Sequence, residues 1–408
     1  MDERVTCCIA GGGPAGMMLG VLLARAGVRV TVLEKHNDFF RDFRGDTIHP
    51  STLRLMEELG WLGDFLKLPH QETKSIYAQI GDTRFEMANF SHLPITTKFI
   101  ALMPQWDFLN FLAEKGRAYP NFHLEMNAEA TGLVFDRDRV TGVKVKTPAG
   151  DKTIEADLVV AADGRSSILR GAAGLVSENF GAPMDVMWFR LPRLPTDTEE
   201  TQGRFEAGHI FIMLQRGDYW QCAFVIPKGG DARIRAAGLD VFRKSVGKLL
   251  PFDAARANDI ASWDDVKLLT VVVDRLKTWA RPGFLCIGDA AHAMSPVGGV
   301  GINLAIQDAV AAANLLQQPL KSGRVTLKDL EAVQARRDFP TRATQRLQLG
   351  IQNMVIAKTL GATGPLKPPL LVRIMTGLPF FSRIPARLLG LGFRPEHISE
   401  AIRNAKGV

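Results

Sequence analysis

Residues 5–34 read VTCCIAGGGPAGMMLGVLLARAGVRVTVLE, and their order decides the fold. Val5 to Ala10 is a continuous apolar run, which suits a strand buried on both faces of a parallel sheet. Gly11-Gly12-Gly13-Pro14-Ala15-Gly16 follows as a G-x-G-x-x-G, then Met17 to Arg25 reads as a helix that stops before Gly27. Val28 to Leu33 is a second strand, closed by Glu34. In such a unit Gly11 permits the tight turn, Gly13 lets the backbone approach a pyrophosphate, and Gly16 lets helix and strand pack closely. The helix N-terminus offers free N–H groups and the positive end of its dipole. Glu34 stands eighteen residues after Gly16, where a carboxylate takes both hydroxyls of an adenosine ribose and disfavours a 2′-phosphate. Together these features spell a dinucleotide site without choosing between NAD and FAD.

Two later segments make that choice. Ile154 to Ala162 is strand-like and ends at Asp163-Gly164-Arg165-Ser166-Ser167. Gly283 to Ile287 is another buried strand, ending at Gly288-Asp289-Ala290-Ala291-His292 and leading into Pro296-Val297-Gly298-Gly299-Val300-Gly301-Ile302-Asn303, with a helix from Leu304 to Leu316. An acid at the carboxyl end of a strand, followed by a Gly-rich loop opening a helix, is a second ligand-facing edge. Asp289 suits a polyol such as the ribityl chain of a flavin, and the loop from Pro296 to Gly301 is bare enough for a planar ring to lie against it. The next helix N-terminus favours negative charge on a reduced flavin. His292 reads as a packing residue rather than a base.

The ordered set of the 11–16 glycine loop, Glu34, Arg44, Gln105, Asp163-Gly164, Gly288-Asp289 and Pro296 to Asn303 resembles the single-component FAD-dependent aromatic hydroxylases, the para-hydroxybenzoate hydroxylase family, over roughly residues 1–345. The resemblance implies a monooxygenase: NADH or NADPH, bound transiently, reduces FAD; O2 adds to give a C4a-hydroperoxyflavin; and one oxygen passes to an electron-rich aromatic or heteroaromatic ring. It implies that Gly11, Gly13, Pro14, Ala15, Gly16, Glu34 and Lys35 hold the adenosine and diphosphate half. Arg44, Gly45 and Gln105 would meet the pyrophosphate and ribityl region, with Ala130 against adenine, and Asp163 and Asp289 as further cofactor contacts. Gly299, Gly301, Ile302 and Asn303 would approach the isoalloxazine, and Pro296 the oxygen-transfer locus. A guanidinium at Arg44 suits a diphosphate because it binds bidentately. Only Tyr77, Tyr119 and Tyr219 are present, none in a proton-relay motif, which departs from the prototype; no catalytic side chain is named, since the flavin carries the chemistry.

Composition sets the outer bounds. The 408 residues carry 50 Lys+Arg against 43 Asp+Glu, 46% hydrophobic residues, 38 Gly and four Cys, which excludes a disordered, collagen-like or disulfide-framed chain. Cys7, Cys8, Cys222 and Cys286 lack metal spacing, so no metal is expected, and three of them lie in apolar runs, as in a cytoplasmic protein. The charged start running into a strand argues against a secretory leader, and no apolar window long enough to span a membrane is unbroken. Residues 320–408 hold 15 Lys+Arg and 5 Asp+Glu, leaving 35 against 38 elsewhere, so the basicity belongs to the tail and nucleic acid is not expected.

The expected fold is α/β: a Rossmann-type FAD-binding domain (1–75, 98–183 and 265–345), an inserted antiparallel β-sheet substrate domain (76–97 and 184–264), and a helical C-terminal region (346–408). Phe205, Phe211, Met213 and Phe224, with Pro296, are candidates to line a pocket for a small aromatic substrate. A homodimer contact or peripheral membrane contact through the basic tail completes the partners. Other readings are oxygenation of a prenylated quinone precursor or lipid, a flavin dehydrogenase or reductase, and a non-catalytic flavin-binding protein.

Overall fold

Five parallel strands run side by side in the order Phe284–Cys286, Gly150–Ala161, Glu3–Ala10, Val30–Glu34 and Phe122–Met126, in a computed structural model that describes residues 3–40, 47–198, 200–368 and 382–405. Every residue of Val30–Glu34 is buried, as expected of a strand covered on both faces. A hairpin, Glu129–Asp136 and Arg139–Thr147, pairs antiparallel with the first half of Gly150–Ala161 and brings the sheet to eight strands with Ala280–Arg281. Ala10 pairs with Ala161 and Leu33, and Ala161 with Cys286, so four strands end at one level.

The first helix runs Pro14–Arg25, three residues longer at its start than the apolar pattern indicates, because Pro14 at its first position is already fixed for a helical turn. It packs against the sheet and against the helix Gly301–Lys321, which likewise starts earlier than its apolar run. Close approach is built in: a Cβ on Gly16 would lie 1.9 Å from the Gly11 carbonyl oxygen. By length and composition the segment Val297–Lys321 would suit a membrane, but most of it is buried within the protein.

The second sheet has seven strands in the order Lys267–Leu269, Met184–Pro192, Tyr219–Pro227, His209–Gln215, Gln202–Glu206, Ser75–Ile80 and Thr83–Asn89. The expectation of an all-antiparallel sheet needs one correction: Gln202–Glu206 and Ser75–Ile80 run parallel. This is the junction between two distant chain segments, where no hairpin dictates strand direction. One face of this sheet, with Phe189, Phe211, Met213 and Phe224, is buried against Phe242, Val246 and Trp263 of the covering helices. The other presents Val186, Trp188, Phe205, Ile210, Ile212 and Ala223.

The helix Leu327–Ile351 starts with a Thr326 capping box and crosses residue 345 without a break, so the boundary drawn there from sequence is not a structural one. It passes through one π turn, Gln352–Ile356, into Ala357–Gly361. Beyond the undescribed 369–381, the chain packs back: Ile398 and Ile402 join the main core, and Arg25 donates to the carbonyls of Ile402 and Arg403 at 3.0 and 2.7 Å. Residues 369–381 of the expected helical C-terminal region lie outside the described residues.

Candidate cofactor and substrate site

Because the strands are parallel and end at one level, their C-terminal residues gather the motifs at a single edge. Gly11, with φ at 110°, makes the turn; a side chain there would meet the Ala162 carbonyl oxygen at 2.4 Å. Gly13 caps the following helix in extended conformation, and a Cβ added to it meets nothing within 4 Å, so the space above the loop is open. No side chain caps this helix, which leaves its first N–H groups available, and no acid in its first turn repels an anion.

Glu34 ends its strand beside this loop and is buried; its carboxylate accepts the N–H of Gly12 at 3.2 Å and of His36 at 3.0 Å. Lys35, by contrast, is exposed. The N–H groups of Asn127 and Ala128 donate to the carbonyls of His36 and Glu34 at 2.9 Å each, which holds the approach to Ala130 at the same corner. Gln105 opens the helix Gln105–Arg117, half-buried, next to Trp106, whose ring lies 4.8 Å from that of Phe40. Arg44 and Gly45 lie outside the described residues.

Asp163 follows the Gly150–Ala161 strand. One carboxylate oxygen meets the Leu169 N–H at 3.5 Å and the other is buried without a partner. Burial pushes this carboxyl above its usual range, against the opposing pull of Ser167 and the backbone N–H groups of the next turn. Asp289 pairs with Arg165 at 3.3 Å, both about a third exposed, so the DG and GD motifs of two adjacent strand ends are joined by an ion pair that sequence reading did not anticipate.

The loop after Asp289 is positioned from behind by glutamines. Gln348 donates to the carbonyls of Ser295 and Val297 at 2.9 and 2.8 Å and accepts the Ser295 N–H at 3.2 Å. Gln345 donates to the carbonyls of Asp274 and Ala293, and Gln352, at the start of the π turn, to the Ser295 hydroxyl at 2.7 Å. These three occupy positions i, i+3 and i+7 of one helix face, a polar stripe that in sequence resembles a solvated one. Between them they fix both sides of Pro296. Farther along, Gly299 has φ at 63° and its carbonyl accepts the Thr47 hydroxyl at 2.9 Å. Gly301 and Ile302 open the next helix, which again has no side-chain cap and no acid in its first turn.

The Asn303 side chain is tied into the protein, accepting from His49 N–H and Thr52 hydroxyl at 2.9 and 2.7 Å and donating to the Thr47 carbonyl at 3.1 Å, so only its main chain can face a ring. Phe211, Met213 and Phe224 sit on the sheet face packed under the helices, opposite to Phe205 by the period of two along each strand, and Phe211 and Met213 line a small cavity there with Gln202, Arg204 and Leu249. The face that includes Phe205 meets the loop: Val297 packs against the buried cluster of Val186, Ile210, Ala223 and Val225, as do half-buried Trp188, Phe205, Ile212, Leu269 and Leu360. The indole N–H of Trp188 is buried there without a partner.

His292 is a buried strut. Its Nε2 lies 2.6 Å from Asp308, which also accepts the Gly288 N–H at 3.1 Å and Arg337 at 2.9 Å. Burial alone would raise the Asp308 carboxyl; His292 and Arg337 outweigh it and hold it below the ordinary carboxylate range.

The donor set fits FAD: open space over Gly13, two uncapped helix starts, a buried ribose-type carboxylate at Glu34 and a buried carboxylate oxygen of Asp163 without a partner.

Residues 4–347 match the family described as FAD binding domain. The 6-methylpretetramide 4-monooxygenase of Streptomyces rimosus is 33% identical over 355 residues, covering 86% of this chain and 84% of that protein. Among solved structures, the OxyS anhydrotetracycline hydroxylase of Streptomyces rimosus superposes with a TM-score of 0.75 at 21% identity, over 98% of this chain and 78% of the other. PqsL of Pseudomonas aeruginosa, in complex with 2-aminobenzoylacetate, does so with 0.75 at 20%, over 88% and 98%.

Proposed function

The chain belongs to the FAD binding domain family of single-component aromatic monooxygenases, and from that premise we propose that its aromatic substrate lies at the seam between the Pro296–Gly301 loop and the sheet face of Trp188 and Phe205. The observation that carries this placement is the packing of Val297 against the buried apolar cluster of that face, Val186, Ile210, Ala223 and Val225, which half-buried Trp188 and Phe205 also pack against. The enzyme is an FAD-dependent monooxygenase; bound FAD, reduced by NADH or NADPH, supplies the activated oxygen.

In this reading the protein binds, orients and excludes water. Glu34 takes the ribose hydroxyls, the N–H groups after Gly13 take the diphosphate, and Asp289 with Arg165 faces the ribityl chain. The N–H groups of Gly301 and Ile302 face the ring and favour negative charge on it. The glutamine stripe holds Pro296 in place. The Trp188 indole N–H, beside the apolar cluster of that face, donates to a substrate oxygen such as that of a phenol or ring carbonyl. The same reading takes the eight-stranded sheet as a Rossmann-type FAD unit, the seven-stranded sheet as its insertion, and the enzyme as cytoplasmic. The relative from Streptomyces rimosus is named for a pretetramide, and a ring compound bearing oxygen functions is the class we favour here.

Purified protein should be yellow, and oxygenated aromatic compounds should stimulate NAD(P)H oxidation with O2 consumption and product formation. A protein that cannot be loaded with FAD would overturn the reading. Flavin bleaching by NAD(P)H with no O2 uptake in the presence of any ring compound would point to a dehydrogenase.

A further inference from the structure

The helix Leu327–Ile351 and the π turn after it are amphipathic in the inverted sense. Their buried side carries Arg337, Thr341, Thr344, Gln345, Gln348 and Gln352. Their outer side carries Phe339, 50% exposed, Leu347, 41%, and Met354, 65%, with exposed Arg342 and Arg346 between them. Steps of three, four and seven residues return to one helix face, so these side chains form a single strip, about 22 Å from Phe339 to Met354.

A second helix, Arg383–Gly390, extends the strip. It buries Ala386 and Gly390 and exposes Arg383, Ile384 and Arg387. Leu347 and Ile351 share a cleft with Leu388 and Phe393; the Phe393 ring meets that of Phe339 edge-on at 6.3 Å, and the Arg394 guanidinium lies 4.6 Å from the Phe339 ring, so the two helices adjoin. Single exposed apolar side chains are ordinary, but a grouped set ringed by cations marks a contact surface.

The charge selects the partner. From Phe339 to Pro395 the sequence has eight Lys or Arg and no Asp or Glu. The acids that flank the stretch are engaged, Asp338 with Arg342 at 2.7 Å and Glu396 with Arg336 at 2.9 Å and Arg337 at 3.4 Å. A second copy about a two-fold axis would set this basic surface against itself. A bilayer with anionic headgroups complements it, because apolar side chains enter the acyl boundary while Arg side chains reach the phosphates.

We propose that this face docks reversibly on an anionic phospholipid surface, with Phe339, Leu347, Met354 and Ile384 entering the interface and Arg342, Arg346 and Arg387 on the phosphates. The opposite side of the same helix carries the glutamines that hold the loop around Pro296, which sets that loop about one helix diameter, ~10 Å, from the lipid. The proposal does not depend on what the flavin site oxygenates.

The test uses the full chain loaded with FAD and vesicles of phosphatidylglycerol mixed equally with phosphatidylcholine, against phosphatidylcholine alone. Co-sedimentation should show binding at least tenfold tighter to the anionic vesicles, lost when NaCl is raised from ~0.1 to ~1 M and the screening length falls from about 10 to 3 Å. Arg346→Gln and Arg387→Gln should each weaken binding about fivefold, and Met354→Asp should abolish it, all three with FAD content and thermal midpoint unchanged. A fluorophore on Met354→Cys, selective because the four native cysteines are buried, should shift to the blue on anionic vesicles. One on Val241→Cys, an exposed position on a helix that covers the second sheet, should not. The proposal falls if anionic vesicles bind no protein, if neutral vesicles bind it equally well, or if the Met354→Cys label does not respond in bound protein. It also falls if that label shifts with protein concentration alone, which would assign the face to a second copy.

Discussion

The Glu34 carboxylate accepts the backbone N–H of Gly12 at 3.2 Å, so the acid that closes the second strand also pins the glycine loop that follows the first. One side chain thus shapes the glycine loop beside which we propose that the ribose lies. Glu34→Ala removes a charge-assisted bond to Gly12, another to His36, and the proposed ribose contact. At about 1.5–3 kcal/mol for a hydrogen bond to a charged group, FAD affinity should fall at least tenfold. Fluorescence titration of apoprotein with FAD measures it, and unchanged affinity would remove Glu34 from the site.

Gln348 makes three hydrogen bonds to the backbone on either side of Pro296. Gln348→Leu keeps the volume and leaves three buried backbone groups unpaired, for a stability loss of about 1–3 kcal/mol per orphaned group at most. Beyond that loss, the loosened loop should let NAD(P)H oxidation continue while less oxygen reaches product. The ratio of hydrogen peroxide to hydroxylated product should rise, and Gln348→Glu, which retains the acceptor, should recover part of the coupling. An unchanged ratio would make Gln348 structural only.

The glycine loop, Glu34, the Asp163 and Asp289 turns and the second sheet were legible because strand, turn and helix recur in a fixed order and each turn needs glycine for backbone reasons. Side-chain direction on the second sheet was not. Phe205 and Phe211 look alike in sequence, and which of the two faces the helices cover and which meets the Val297 loop is set only by the tertiary fold. The Arg165–Asp289 pair joins residues 124 positions apart, and the 345–352 glutamines resemble any polar helical stripe. Long-range hydrogen bonds of this kind leave no period to read.

Trp188 carries a buried indole N–H with no partner on the sheet face that meets Val297. Trp188→Phe preserves ring packing and removes the donor. With a substrate that bears a ring oxygen, KM should rise about tenfold, the equivalent of one neutral hydrogen bond of roughly 1.4 kcal/mol. With an analogue lacking that oxygen, KM should not change. An equal effect on both would mean that Trp188 acts by shape alone.

His49 is wholly buried, and burial lowers its pKa to about 4, only partly opposed by its 2.6 Å contact with the Leu389 carbonyl. Since the ordinary value is about 6.5, the unfolded chain binds a proton between pH 6.5 and 4 that the folded chain refuses. Stability is therefore full above pH 6.5 and falls as pH drops toward 4, by about 2 kcal/mol at pH 5. Urea unfolding at pH 5 and 7.5 should show this loss, and His49→Asn should flatten it. A variant with the same pH slope would assign the effect to other groups.

Asp308 serves Gly288, His292 and Arg337 together with no exposure to solvent. Asp308→Ala leaves the buried Arg337 guanidinium with Glu396 alone and takes the partner from His292 Nε2 and the Gly288 N–H, and the expected loss is about 3–5 kcal/mol. Because Gly288 precedes Asp289, bound FAD should also become easier to strip in mild urea than in wild type at matched fraction folded. Unfolding followed in parallel by flavin release and far-ultraviolet circular dichroism separates the two effects.

The parallel pairing of Gln202–Glu206 with Ser75–Ile80 has a practical side for anyone recombining such enzymes. The strands of the seven-stranded sheet enter from two places in the gene, and the seam between them is a ladder rather than a loop. Exchanging only the later segment with a relative would join a foreign edge to a native hairpin and put their register at risk. A chimera that moves the whole sheet has to carry 75–89 and 184–269 as one unit, with four crossover points instead of two.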